Sequence, residues 1–203
     1  MHILEMNPTM TTSMNADDTC LSSWTDNLVV EASSTPCLTV GVCNGGREAN
    51  DRLTMDHLLG RLERSLTRFA PDRRMLSIRI DPQNMQADKP IVERMPIAQR
   101  SALGDYHEVQ LSCERGSKNG HALNGLADWL PSWKEAFGLI VLDIGPIDSR
   151  EARVSGRLCD GCYVLLGPRT CGSQEWINQQ IAWHSRSGST VCGTILAQHA
   201  EAA

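Results

Sequence analysis

The sequence predicts a doubly wound α/β domain, a mostly parallel sheet with helices on both faces. Three observations carry this. Six apolar, strand-like runs alternate with helical stretches between residues 38 and 196. Two of them, LIVLD at Leu139–Asp143 and the end of TVCGTIL at Val191–Leu196, are nearly continuous in apolar residues, as strands buried on both faces of a parallel sheet are. The first strand also leads through a glycine-bearing loop straight into a helix, the order that phosphate-cradling loops use.

Taken along the chain, residues 1–35 are rich in Ser, Thr, Asn and Asp and are broken only by LSSW and LVV. Such a segment is expected to lack fixed structure, with Pro36 marking entry into a single folded domain over 36–200. Strands are predicted at Leu38–Val42, Met75–Ile80, Glu108–Ser112, Leu139–Asp143, Gly161–Leu166 and Val191–Leu196. After the first strand, Met55, Leu58, Leu59, Leu62, Leu66 and Phe69 recur at three- and four-residue spacing and define one apolar helix face. Arg61, Arg64 and Arg68 fall on the opposite side. A second helix covers about His121–Phe137, where Pro131 is expected to break or kink it. Trp129, Trp133 and Phe137 give that helix a core-facing stripe. A third helix lies near Ser149–Cys159, and a fourth, SQEWINQQIAWHS, starts with Ser173 as its N-cap. Ligands of such sheets bind beyond the carboxyl ends of the strands.

Composition narrows the function. The 203 residues carry a formal net charge of −5, with a sequence pI near 5.7. No basic stripe is present for nucleic acid. No apolar run approaches the roughly 18 residues of a membrane span. MHILEMNPTM lacks the basic start and apolar stretch of a secretory signal, so a cytoplasmic protein is expected. The eight cysteines are scattered, and in the cytosol they read as reduced core residues.

A working phosphate loop needs glycines that free backbone N–H groups, a lysine for the β- and γ-phosphates, and a Ser or Thr hydroxyl for Mg²⁺. A strand-end carboxylate completes the metal site. Here the loop CNGGREAND offers Gly45 and Gly46 but no lysine and no hydroxyl. The run TVGVCNGGREANDRLTMDHLLGRL nonetheless resembles the deviant Walker A region of bacterial tyrosine autokinases, a branch of the P-loop ATPases. RRMLSIRIDPQ is similar to that family's second acidic strand, WKEAFGLIVLDIGP to its Walker B strand, and LCDGCYVLLGPRT and VCGTILAQ to its last two strands. The likeness runs in order from about Leu38 to Gln198.

The resemblance implies ATP and Mg²⁺ as cofactors and work alongside polysaccharide chain-length and export proteins. It also implies self-association, or association with an ATPase paralogue. The departures point away from catalysis. Asn50 falls on the lysine and Asp51 on the metal-binding hydroxyl position. Arg79 replaces the first of two aspartates, leaving Asp81, and Asp143 survives as the Walker B carboxylate. Asp51, at a helix N-terminus, is expected to cap free N–H groups and to fill the phosphate seat with its own negative charge. The family's tyrosine-rich tail is not matched by AQHAEAA, and the chain's tyrosines are Tyr106 and Tyr163.

The reading is therefore a degenerate, non-catalytic ATPase that binds a protein partner, with no cofactor assigned. A first alternative is weak ATP binding and turnover in which Arg47 or Arg52 stands in for the lysine. A second is a thiol redox protein using Cys159 and Cys162. Their CxxC precedes a strand rather than opening a helix, so a structural role is favoured. The six histidines show no ligand spacing.

Overall fold

The computed structural model describes residues 19–45, 50–81, 95–112, 121–166 and 173–196. Its centre is a seven-stranded sheet built from β1 (Leu38–Asn44), β2 (Met75–Asp81), β3 (Gln99–Arg100), β4 (His107–Ser112), β5 (Leu139–Pro146), β6 (Gly161–Leu166) and β7 (Val191–Leu196), in the order β3-β4-β2-β5-β1-β6-β7. All pairings are parallel except that of β3 with β4. The helices are α1 (Thr19–Ser34), α2 (Asn50–Phe69), α3 (His121–Ala136), α4 (Arg150–Ser155) and α5 (Gln174–Arg186). A short 3₁₀ turn, Gly156–Leu158, follows α4. No helix among the described residues is long and apolar enough to cross a membrane.

All six predicted strands are present. β3 was not predicted; two exposed residues at a sheet edge leave no periodicity to read. Strand alternation divides the core into two layers. Leu38, Val40 and Val42 of β1, Met75 of β2 and Leu139 and Val141 of β5 pack against Met55, Leu58, Leu59, Leu62 and Leu66 of α2. Leu76, Ile78 and Ile80 of β2 and Ile140, Leu142 and Ile144 of β5 face the other way, onto Leu126, Leu130 and Trp133 of α3 and Ala152 of α4.

Three expectations change. Residues 19–34 form a helix rather than an unstructured lead-in. Leu28, Val29 and Ala32 are buried against the α2 layer, and Trp24 meets Tyr163 edge-on at 5.0 Å. Ser65 Oγ of α2 donates to Asp26 Oδ1 at 2.6 Å. The helix is anchored by few apolar residues, which the surrounding Ser and Thr hide from a composition-based reading. Pro131 does not break α3: it lies exposed inside a helix that continues to Ala136. Phe69 does not share the buried face of α2. It ends the helix 42% exposed, with the Arg68 guanidinium 4.8 Å from its ring centre.

The predicted cap at Ser173 holds, and Ser149 caps a second helix. Ser173 Oγ accepts from the Trp176 amide at the start of α5, and Ser149 Oγ accepts from Ala152 at the start of α4.

Candidate functional site

The site lies where β1, β2 and β5 end beside the start of α2. Backbone bonds tie the strand ends together. Ile147 N–H donates to Asn44 O at 2.8 Å, and Gly45 N–H donates to Leu165 O at 2.8 Å. Gly145, with φ of 75°, adopts the left-handed conformation that turns the chain after Asp143. β1 ends at Asn44 and α2 begins at Asn50, so the predicted strand and helix are in place, while residues 46–49 of the loop between them lie outside the described residues. Gly46 and Arg47 lie outside the described residues. Asn50, Asp51 and Arg52 form the first turn of α2, and their side chains lie outside the description, as does that of Asp81 at the end of β2.

Asp143 is the best-defined of the predicted site residues. Alternation along β5 puts it on the α2 side, following Leu139 and Val141. The register aligns it with Val42 of β1 and with Arg79 of β2. Its Oδ1 accepts from the Gly145 amide at 3.3 Å. Its Oδ2 lies 3.5 Å from Arg79 Nε. The same guanidinium reaches Asp56 of α2, with Nη2 2.6 Å from Oδ1. Side-chain exposure falls from 28% for Arg79 to 9% for Asp143, so the aspartate is the desolvated partner. Burial alone would lower the Arg79 pKa. The hydrogen bond and charge of Asp56, joined by the charge of Asp143, outweigh it and raise the pKa above its ordinary value.

Arg79 thus holds two carboxylates from two elements. A strand-end carboxylate that serves a divalent cation must offer it an oxygen. Here a guanidinium lies against that carboxylate. Among the described residues no group of three or more His, Cys, Asp or Glu side chains could hold a metal ion.

His184 was not singled out as a site residue by its spacing, yet it secures the rim. It is 1% exposed, and its Nε2 lies 2.8 Å from the carbonyl of Ile147, just beyond β5. A carbonyl only accepts, so Nε2 carries the proton. Nδ1 is buried with no hydrogen-bond partner among the described residues. Burial lowers the pKa of His184, against the Ile147 hydrogen bond and with help from Arg153. Its folded value therefore lies below its ordinary 6.5. The stability this contributes is present above 6.5 and is lost as pH falls from there through the folded value, at up to about 1.4 kcal/mol per pH unit. Urea midpoints should fall on acidification in that window. The fall should be shallower in His184→Gln; equal slopes in the two proteins would rule the role out.

The strand order and the flanking helices define a doubly wound α/β fold, P-loop NTPase-like in its architecture. No protein-family model matches the chain, and no curated protein sequence does. Solved structures do. The kinase domain of the Escherichia coli tyrosine kinase ETK matches with a TM-score of 0.69 at 11% identity, over 91% of this chain and 76% of that one. The BceF tyrosine kinase domain matches with a TM-score of 0.64 at 13% identity, over 87% of this chain and 75% of that one. The VpsO kinase domain gives 0.61 at 11% identity, over 88% and 93% respectively. At these identities the likeness is one of fold, and the expected tyrosine-kinase-domain architecture is the one found.

Proposed function

We propose that this chain is a non-catalytic relative of the tyrosine-autokinase ATPase domains that acts as a regulatory or scaffold protein by binding another protein. The observation that carries this reading is the Arg79 guanidinium set against Asp143, the carboxylate on which Mg²⁺ would depend. A loop sequence without lysine, and Asp51 in the first turn of α2, support it. The partner class that the likeness suggests is a polysaccharide co-polymerase or export protein, or an ATPase paralogue, in exopolysaccharide or capsule synthesis. Self-association through the same surfaces belongs to this reading, as does a cytoplasmic location.

The test is titration calorimetry with ATP and Mg²⁺, paired with a phosphate-release assay. We expect no heat of binding at micromolar nucleotide and no turnover. Micromolar binding with phosphate release that vanishes in Asp143→Asn would overturn the proposal. It would favour the alternative in which Arg47 or Arg52 serves the phosphates.

A further inference from the structure

The CxxC motif, left unused by the site above, is packed in a way its sequence does not reveal. Cys159 follows the 3₁₀ turn and Cys162 lies at the start of β6. Both thiols are free, as are Cys37, Cys43 and Cys192. Both sulfurs lean on the same spot of the sheet: a Cβ placed on Gly41 of β1 would lie 2.9 Å from each. They are therefore at most twice that distance apart. The intervening turn is held at both ends. Asp160 N–H donates to Thr39 O at 2.8 Å, Thr39 N–H donates to Asp160 Oδ2 at 2.8 Å, and Cys162 N–H donates to Thr190 O at 2.7 Å. Cys159 is partly exposed, whereas Cys162 is fully buried.

We propose that Cys159 and Cys162 form a reversible disulfide-exchange site that takes low-molecular-weight disulfides, with Cys159 as the entry thiol and Cys162 as the resolving thiol. Cys159, as thiolate, attacks one sulfur of a small disulfide RSSR. A Cys159–SR bond forms, the S–S bond of RSSR breaks, and RS⁻ leaves. Cys162, as thiolate, then attacks Cys159 Sγ, forming the intramolecular disulfide and expelling the second RS⁻. The two protons from the protein thiols end on two RSH. The protein is oxidised by two electrons and RSSR is reduced by two.

In the dithiol, hydrogen bonding from the Cys159 S–H lowers the Cys162 pKa against the effect of burial. The same hydrogen bond, with burial, raises that of Cys159. Once Cys159 carries SR that bond is gone, and the second step rests on the closeness of the two sulfurs. In the dithiol the S–H groups also lie 3.5 Å from two carbonyls, Cys159 to Ser155 O and Cys162 to Gly156 O. These are weak donors, and losing them on oxidation costs little. The inference stands apart from the scaffold reading, since it uses neither Asp143 nor the glycine loop.

The experiment equilibrates the full chain with mixtures of reduced and oxidised dithiothreitol, quenches with acid, then alkylates the chain in denaturant. The thiol count should fall from eight to six. The peptide carrying Cys159 and Cys162 should be lighter by two hydrogen atoms, and dithiothreitol should restore it. A synthetic peptide spanning residues 156–165 provides the reference. If Cys159 and Cys162 both remain alkylatable at a ratio that oxidises this peptide, the proposal is wrong. It is equally wrong if the lost pair maps elsewhere. No variant is needed for either outcome.

Discussion

Val29→Asp is expected to destabilise the protein by about 4 kcal/mol, because it places a carboxylate where no counter-charge waits. Val29 is 0% exposed, whereas its neighbour Val30 is 56% exposed. Val30→Asp should therefore stay within about 0.5 kcal/mol of the parent. Thermal unfolding separates the two: for a domain of this length, Val29→Asp should lower the midpoint by about 10 °C, and Val30→Asp should leave it almost in place. Two equal midpoints would mean that α1 is not docked as described. The comparison tests α1 directly, since adjacent residues share propensity and composition and differ only in which way they face. Ser65, donating to Asp26 from the C-terminal part of α2, indicates that α1 is part of the domain's layering.

Arg79→Met should cost about 2 kcal/mol, well above a typical surface ion pair. The reason is asymmetric. Asp56 can turn to water, but Asp143 is 9% exposed and keeps the Gly145 amide as its described hydrogen-bond donor. Losing the guanidinium removes a cation from a carboxylate that has little access to water. Asp143→Asn in the Arg79→Met background should return part of that loss, since the amide carries no charge. A double-mutant cycle in urea should give a coupling of about 1–2 kcal/mol between the two positions. Additive single effects would show that Arg79 and Asp143 do not act as a pair, and would remove the observation on which the non-catalytic reading depends.

The parts of the fold that were legible in the sequence are those where burial is periodic. LIVLD reads as a central strand because both its faces are covered, and the α2 stripe reads as a helix because five of its six apolar positions are buried. Helix α1 was not legible: Leu28, Val29 and Ala32 are too few to outweigh the Ser and Thr around them, and only their meeting with α2 makes the helix worth forming. β3 is too short to leave a pattern. At the site, order along the chain identified Asp143 and Arg79, but not that they touch. That follows from β2 and β5 being neighbours with Arg79 and Asp143 in register. Asp56, the third member, looked like any polar residue on a helix. His184 gave no signal, because its partner is a main-chain carbonyl 37 residues away in sequence.

The bare Cα at position 41 has a consequence for how this protein can diverge. Two thiols occupy the room that any larger residue there would require. A side chain at 41 therefore requires 159 or 162 to shift or yield volume. Position 41 is thus coupled to two cysteines more than a hundred residues further along the chain, and an engineer choosing scaffold sites for variation would treat the three as a single locus.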